Sequence, residues 1–255
     1  MKDVIDFTIV SNQRLNERHF LLSLKSSNKL IEMLPGQFVN VLIPKSKETF
    51  LRRPFSVHDT DYENNILKLY IQIAGKGTES LANIKVGEKL NIVYPLGNSF
   101  LFSNDDKCLL IGGGCGIAPL LFLSKTMSHQ GIKPTILIGA RTESEIFEVE
   151  EYKKYADIYF STDDGTLGEK GFITKHSIIN KIGSNFNKIF ACGPELMLKA
   201  IAKIALEKNV SCEVSLENTM ACGFGVCLCC VTETIQGRQC VCTEGPVFNT
   251  SNLSW

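Results

Sequence analysis

A group of cysteines near the C-terminus constrains this 255-residue chain more than any other feature. Six of its ten cysteines lie between Met220 and Trp255, in the runs Met220-Ala-Cys-Gly-Phe-Gly-Val-Cys-Leu-Cys-Cys230 and Cys240-Val-Cys242. No apolar run is long enough to cross a membrane, and acids stand near Met1 where a signal peptide would need an apolar core. The sequence therefore predicts a cytoplasmic protein, in which disulfides are rare. The cysteines are expected to be metal ligands or redox groups.

The spacing of Cys222, Cys227 and Cys230 is C-x4-C-x2-C, which resembles the plant-type 2Fe–2S ferredoxins. Such ferredoxins take a fourth cysteine further along the chain. Gly223 and Gly225 would allow the loop to wrap tightly and to direct N–H groups at sulfur. The alternatives are a four-cysteine zinc site, which prefers paired C-x2–4-C units, and unmetallated thiols. The spacing favours an iron–sulfur cluster.

A hairpin argument predicts the fourth ligand. Two strand-like segments, 231–235 and 238–242, flank Gln236-Gly237, a plausible two-residue turn. This register would place Cys242 opposite Val231, beside Cys230, and would move Cys240 roughly 10 Å along the strand. Cys242 is therefore the expected fourth ligand. Cys229 is expected to point away from the cluster, and neither it nor Cys240 is assigned a role.

The rest of the chain predicts two further domains. Residues 1–100 contain short apolar runs separated by turn residues, which is typical of an antiparallel β-barrel or sandwich. Residues 101–215 alternate strands and helices, including a helix from Ser144, and predict a doubly wound parallel α/β domain. Residues 216–255 form the small cysteine domain. Cys108 and Cys212 lie in strand-like segments and are expected to be buried.

The α/β part carries a glycine-rich loop that follows a strand and opens a helix, a context that suits a dinucleotide pyrophosphate. The alternative is a turn whose glycines serve only close packing. A second strand-to-helix turn lies at Cys192-Gly193-Pro194. At the end of the second predicted strand, where dinucleotide-binding folds often carry an acidic residue, this chain has Arg141. Arg141 leaves a 2′-phosphate contact open. The candidate NAD-binding residues are Gly112, Gly113, Gly114, Gly116, Pro119, Cys192, Gly193 and Pro194.

The β domain contains a second set of candidates around an arginine. Arg53 could pair with a phosphate, Ser56 could hydrogen-bond a ring edge, and Phe55 or Tyr70 could stack on a planar group. On its own the segment also fits a surface arginine beside a turn. The candidate residues are Arg53, Pro54, Phe55, Ser56, Tyr70, Ile71, Gln72, Gly77 and Thr78.

Charge and redox chemistry narrow the function. Lysine plus arginine equals aspartate plus glutamate, 27 each, so no basic field attracts nucleic acid or an acidic membrane. A 2Fe–2S cluster carries single electrons, whereas a nicotinamide carries a hydride. A chain that holds both needs a flavin to convert between them. No residue is expected to act as an acid or base on a substrate.

Taken together, the RPFS, GKGT, GGGCGIAP and CGP motifs resemble the ferredoxin–NADP reductase superfamily. With CTEGPVF at 242–248, the chain resembles the electron-transfer subunits of NAD-dependent, heteromeric dihydroorotate dehydrogenases. The resemblance covers about residues 38–248. It implies FAD at 53–56, 70–72, 77 and 78, Cys192 near the nicotinamide, and a cluster held by Cys222, Cys227, Cys230 and Cys242.

The resemblance also implies a partner. This would be a TIM-barrel subunit with FMN that oxidises dihydroorotate in pyrimidine biosynthesis, in a heterotetramer of two copies of each subunit. Electrons would pass from FMN through the cluster and FAD to NAD+. The alternatives are a reductase subunit of the ferredoxin or sulfide type and, in another class, a zinc-binding interaction module.

Overall fold

The computed structural model describes residues 2–44 and 49–255. The N-terminal part is one antiparallel sheet of seven strands in the order β4-β3-β7-β1-β2-β6-β5. Its strands are β1 (Asp3–Arg14), β2 (His19–Ser26), β3 (Phe38–Val41), β4 (Arg53–Ser56), β5 (Asp59–Asp61), β6 (Ile66–Gln72) and β7 (Lys89–Leu96), with helix α1 (Lys76–Ala82) after β6.

This sheet curls into the predicted barrel. The edge strand β4 contacts β6, which lies one strand from the opposite edge. Phe7, Leu22, Leu69 and Ile92 point inward from four different strands and are fully buried or nearly so. Their alternation with exposed positions is what a sheet with one buried face requires. The antiparallel barrel predicted for this part of the chain is therefore confirmed.

The middle part is a parallel sheet. Its order, with β16 (Val247–Asn249) from the C-terminal part at one edge, is β11-β10-β9-β8-β12-β13-β16. The strands are β8 (Cys108–Gly113), β9 (Thr135–Ala140), β10 (Asp157–Thr162), β11 (Glu169–Lys170), β12 (Lys188–Cys192) and β13 (Ser211–Ser215). Strand order reverses next to β8, because β9 lies on one side of it and β12 on the other. This point of reversal is where open α/β sheets bind ligands.

Helices cover both faces of the parallel sheet, as predicted for a doubly wound domain. Helices α2 (Ala118–His129) and α3 (Val149–Lys153) pack on one face, and α4 (Glu195–Glu207) packs on the other. The helix expected from Ser144 is not formed as one element. A 3-10 turn, Glu143–Glu145, precedes α3, and Glu148 between them has φ +55°, which interrupts the helix.

The C-terminal part contributes a hairpin and one strand. The hairpin consists of β14 (Val231–Thr234) and β15 (Gly237–Cys240), and β16 (Val247–Asn249) pairs antiparallel with β13. The cysteine segment is thus fastened to the edge of the parallel sheet, which the sequence did not predict. Within residues 2–44 and 49–255, no helix is both long and apolar enough to cross a membrane.

The barrel and the C-terminal segment also meet directly. The backbone N–H of Asn98 donates to Gly245 O at 2.6 Å, and Asn98 Nδ2 donates to Glu244 O at 2.7 Å. A Cβ on Gly97 would lie 2.4 Å from Pro246 Cδ, so this approach requires glycine. Residues 94–100 (YPLGNSF) therefore pack against the EGPVF stretch of residues 244–248.

Candidate cofactor and cluster sites

A cavity of about 570 Å³ lies between the barrel and the other two parts. All nine candidate flavin residues of the barrel line it: Arg53, Pro54, Phe55, Ser56, Tyr70, Ile71, Gln72, Gly77 and Thr78. Strand β4 and the end of β6 bring most of them together, although the two strands are separated by 9 residues of chain. Met220 and Pro246 close the cavity from the cysteine segment. The cavity therefore borders the segment that carries the cysteines.

The polar groups of this cavity are held by local bonds. Arg53 Nη1 donates to Leu51 O at 3.0 Å. The Thr78 hydroxyl accepts from the N–H of Ala74 at 2.9 Å and donates to Gly75 O at 2.9 Å, so it closes the first turn of α1. A Cβ on Gly77 would lie 3.2 Å from Thr49 Cγ2, so glycine keeps this wall of the cavity open. The arginine can pair with a phosphate, whereas the hydroxyl of Thr78 is engaged within the loop.

A second cavity, of about 760 Å³, lies at the carboxyl ends of the parallel strands. Of the candidate NAD residues, five line it: Gly113, Gly114, Gly116, Gly193 and Pro194. The other three, Gly112, Pro119 and Cys192, are buried in the protein and do not line this cavity. The glycine loop and the Cys-Gly-Pro turn therefore meet at one site, although they are far apart in sequence.

Close packing explains two of the glycines. A Cβ on Gly116 would lie 2.2 Å from Cys192 O, and one on Gly112 would lie 2.8 Å from Ile117 Cγ2. These positions let the loop approach β12 and the start of α2. The packing role that was the alternative reading thus applies to Gly112. Gly116 serves packing and also faces the cavity.

The two cavities join at three residues. Gln72, Cys115 and Glu217 line both of them. Glu217 follows β13, and its side chain is accessible from both cavities. The cavity walls remove part of the water around its carboxyl group, which raises its pKa. Sequence analysis assigned Gln72 but missed Cys115 and Glu217. The available signal was the position of Glu217, just beyond the carboxyl end of a parallel strand.

The cysteine loop directs backbone N–H groups at sulfur. The N–H of Gly225 donates to Cys242 Sγ at 3.1 Å, and the N–H of Cys242 donates to Cys230 Sγ at 3.4 Å. Burial acts to raise the pKa of Cys222, but hydrogen bonds from Phe224 and Cys227 help to lower it to about 6. Gly225 has φ +84°, a left-handed conformation that favours glycine. The bonds to Cys222 favour its thiolate, whereas burial raises the pKa of the Cys242 thiol to about 12 despite the N–H of Gly225.

The predicted hairpin register is wrong by two residues. Val231 pairs with Cys240 and Thr234 pairs with Gly237, so the turn is Ile235-Gln236. The Thr234 hydroxyl closes this turn by donating to Gly237 O at 2.6 Å and accepting from the N–H of Gln236. A tight turn follows β15, in which the N–H groups of Thr243 and Glu244 both donate to Cys240 O. This turn, rather than the ladder, brings Cys242 beside Cys230.

The cysteines of the C-terminal part form two groups of thiols in contact. Cys222 hydrogen-bonds Cys227, while Cys242 and Cys240 both lie within hydrogen-bonding reach of Cys230. Cys229 is exposed, and Cys108 and Cys212 are buried, as predicted. Within the described residues, no three His, Cys, Asp or Glu side chains converge as at a mononuclear metal site. Four of these thiols, Cys222, Cys227, Cys230 and Cys242, are the candidates for the four thiolate ligands of a 2Fe–2S cluster.

Comparison with known protein families matches each part of the chain. Residues 4–100 match an oxidoreductase FAD-binding domain, and residues 110–203 match an oxidoreductase NAD-binding domain. Residues 217–254 match the iron–sulfur cluster binding domain of dihydroorotate dehydrogenase B.

Curated relatives match over nearly the full length. A protein of Fusobacterium nucleatum is 35% identical over 97% of both chains, and one of Caldanaerobacter subterraneus is 36% identical over 94% of both. Each is described as the electron transfer subunit of dihydroorotate dehydrogenase B (NAD(+)). The chain belongs to this family. Its domains are therefore those of an oxidoreductase subunit that binds FAD, NAD and an iron–sulfur cluster.

Solved structures agree with the family assignment. The NADH-dependent reduced ferredoxin-NADP oxidoreductase, studied for flavin-based electron bifurcation, superposes with a TM-score of 0.87 and 30% identity, over 98% of this chain and 90% of that one. An Amycolatopsis cytochrome P450 reductase superposes with a TM-score of 0.69 at 21% identity, over 83% of this chain and 68% of that one. The second likeness concerns the fold alone.

Proposed function

We propose that this chain is the electron transfer subunit of a dihydroorotate dehydrogenase that reduces NAD+ in de novo pyrimidine (UMP) biosynthesis. Electrons enter from the FMN of a catalytic subunit, pass through the 2Fe–2S cluster and FAD, and leave on NAD+. The near full-length match to the Fusobacterium nucleatum subunit carries this proposal. Dihydroorotate is oxidised on the partner, and no residue of this chain is assigned an acid or base role toward it.

The cavity between the barrel and the cysteine segment is the proposed FAD site, lined by the nine candidate residues named above. Arg53 would hold a phosphate, and the aromatic and backbone groups of β4 and β6 would hold the ring system. When bound, the flavin exchanges a hydride with nicotinamide and single electrons with the cluster. Met220, which lines this cavity, lies two residues before Cys222. That adjacency supports electron exchange between the two sites.

The second cavity is the proposed NAD site, with the glycine loop at the pyrophosphate and the Cys-Gly-Pro turn toward the nicotinamide. Its junction with the flavin cavity is the place where hydride transfer would occur. Gln72, Cys115 and Glu217 surround this junction and would position the two rings and exclude water. The proposed NAD contacts are the five candidate residues that line this cavity. The other three candidates, Gly112, Pro119 and Cys192, would act by packing behind them.

The proposed cluster ligands are Cys222, Cys227, Cys230 and Cys242. The N–H of Gly225, which donates to Cys242 Sγ, favours Cys242 over Cys240. We propose domain boundaries at 1–100, 101–215 and 216–255. The cytoplasmic location stays a prediction, as does a heterotetramer containing two FMN subunits.

Spectroscopy and metal analysis test the proposal. The purified chain should contain one FAD, two irons and two labile sulfides. NADH should bleach the flavin absorbance, and dihydroorotate should do so when the catalytic subunit is added. A colourless protein, or one that co-purifies with no dihydroorotate-oxidising partner, would exclude the proposed role.

A second candidate is a reductase subunit that exchanges electrons with ferredoxin. The likeness to the NADH-dependent reduced ferredoxin-NADP oxidoreductase, at 30% identity over 98% of the chain, favours keeping it. Stopped-flow mixing with reduced ferredoxin and with the dihydroorotate-oxidising subunit separates the two candidates. The proposed function requires fast flavin reduction only by the second. The zinc-binding module has no support among the family matches.

A further inference from the structure

We infer that Glu145 gives this chain its preference for NAD(H) over NADP(H), by holding Arg141 in an ion pair at the adenosine end of the nucleotide cavity. The inference rests on the proposed function, because it concerns the NAD site assigned there. It answers a question that the sequence left open, since Arg141 alone suggests a contact with a 2′-phosphate.

The Arg141–Glu145 pair lies where a dinucleotide-binding fold meets the adenosine ribose. Arg141 directly follows β9, the second strand of the parallel sheet in chain order. In dinucleotide-binding folds, the side chain near the end of this strand meets the adenosine ribose, where an acid accepts from the 2′-hydroxyl and an arginine receives a 2′-phosphate. Arg141 and Glu145 line the same cavity as the glycine loop. The arginine that could receive a 2′-phosphate and the acid that could accept from a 2′-hydroxyl therefore lie side by side in this cavity.

The geometry of the pair is the second argument. Arg141 Nε donates to Glu145 Oε2 at 3.2 Å, and Arg141 Nη2 donates to Glu145 Oε1. This is a two-point contact between the guanidinium edge and the carboxylate, which is the arrangement that the edge would otherwise offer to a phosphate. A 2′-phosphate would have to displace Glu145 or approach its negative charge.

The turn that carries Glu145 is anchored independently of Arg141. The N–H of Glu143 donates to Thr166 Oγ1 at 2.8 Å, and the Thr142 hydroxyl lies 3.3 Å from the same atom. The hydroxyl of Thr166 is in turn bonded to Asp164 Oδ1 at 2.7 Å. These bonds hold the 3-10 turn that presents Glu145 to the cavity.

The surrounding charges give no net attraction for a phosphate. Arg18 from the barrel, Asp163 after β10 and Glu217 after β13 also line the cavity, so Arg18 and Arg141 face three carboxyl groups. Burial lowers the pKa of His19, which therefore adds little positive charge at neutral pH. Its bond to Arg141 lowers the pKa of Glu145, so this carboxylate is ionised. A phosphate group brings about two further negative charges into a cavity that already holds more carboxyl groups than arginines.

Ligand binding by the FAD- and cluster-loaded protein tests the inference without relying on turnover. Isothermal titration would compare adenosine 2′,5′-bisphosphate with 5′-AMP, which differ only in the 2′-phosphate. In Glu145→Gln, the bisphosphate should bind at least about tenfold tighter than in the unmodified protein, because Arg141 is released. Binding of 5′-AMP should change by less than about threefold. The ratio of kcat/KM for NADPH over NADH should rise by a similar factor of about ten.

Glu143→Gln is the matched control, because it removes the same charge from the same turn at a residue that does not line the cavity. It should leave both affinities unchanged. The double variant Glu145→Gln/Arg141→Gln should lose the gain for the bisphosphate. An equal gain in both single variants would overturn the inference by showing a nonspecific charge effect.

Unchanged bisphosphate binding in Glu145→Gln, with normal 5′-AMP binding, would also overturn the inference while leaving the proposed function intact. Failure of the unmodified protein to bind 5′-AMP or NADH would instead overturn the proposed NAD site. The two failures are therefore distinguishable.

Discussion

His58 of the barrel lies 2.8 Å from Glu148 of the α/β domain, measured from Nε2 to the carboxylate Oε2. Its other ring nitrogen, Nδ1, lies 2.7 Å from the backbone oxygen of Ala118, the first residue of α2. Each ring nitrogen of His58 therefore faces one oxygen atom of the α/β domain. Because Ala118 borders the flavin cavity, this buried pair fixes the start of α2 relative to the proposed FAD site.

The first prediction concerns this pair. His58→Gln should lower the free energy of unfolding by about 3 kcal/mol, because it leaves the largely buried Glu148 carboxyl and the oxygen of Ala118 without their shared partner. Urea unfolding, followed by tryptophan and flavin fluorescence, measures the loss. Lys154→Gln is the control, since Lys154 forms an exposed pair with Glu151 and its loss should change the free energy of unfolding little. Equal losses in the two variants would contradict a structural role for the His58 pair.

The second prediction concerns pH. Asp59 is nearly buried between Lys125 of α2 at 2.7 Å and Lys68 of β6 at 3.1 Å. Burial opposes its ionisation, but the two lysines outweigh burial and lower its pKa below the usual value. A carboxyl whose pKa is lower in the folded state stabilises the fold above its unfolded pKa of about 4, and this contribution is lost as pH falls through the folded value.

Asp59→Asn should therefore destabilise the protein at pH 7 by about 2 kcal/mol, and the difference should shrink as pH falls below about 4. Urea midpoints at several pH values measure it. Asp157→Asn removes the exposed pair with Lys133 and serves as the control, with little expected change. A difference that stayed constant down to pH 3 would show that the charge of Asp59 is not the cause.

The third prediction separates packing from backbone conformation in the glycine loop. Gly116→Ala would place a methyl group 2.2 Å from Cys192 O, so the loop and β12 must move apart. We expect a loss of stability of about 3 kcal/mol and at least about tenfold weaker NADH binding. Gly114→Ala meets no atom within 4 Å but has φ +54°, so it should cost only about 1 kcal/mol. Fluorescence titration with NADH compares the variants, and a reversed order would refute the packing argument.

The fourth prediction concerns the cluster. Cys242→Ser should lose most of its iron and labile sulfide, because Cys242 is fully buried and receives the N–H of Gly225. Cys240→Ser should keep the cluster, although Cys240 also lies beside Cys230. The exposed Cys229→Ser is the control for handling and oxidation. Iron analysis and visible absorbance measure the result. Loss of the cluster in Cys240→Ser with retention in Cys242→Ser would reassign the fourth ligand.

Much of the site is predictable from local sequence because its chemistry is local. The flavin candidates around Arg53 form β4, and the glycine loop joins a strand to α2, as predicted. Gly223 and Gly225 have positive φ angles in the cysteine loop, as the need for tight wrapping suggested. In each case, neighbouring residues and their spacing determine the backbone conformation, so the pattern can be recognised without the fold.

The errors in local structure involve side-chain contacts between residues three or four positions apart, which the strand and helix patterns do not specify. The hairpin register depended on the Thr234 side chain closing the turn, which shifted Cys240 into the position expected for Cys242. The effect of Arg141 depended on Glu145, which a 3-10 turn brings back to it in place of the expected helix. The pattern of apolar residues that predicts strands and helices carries little information about such side-chain contacts.

The sequence by itself determined the three kinds of domain, the family resemblance and the set of candidate residues, because these follow from motifs whose residues are close in the chain. Only the tertiary structure decided how the parts meet: β16 on the edge of the parallel sheet, and the two cavities joined at Gln72, Cys115 and Glu217. The physical reason is that packing between separate elements selects these contacts, and no local preference specifies them.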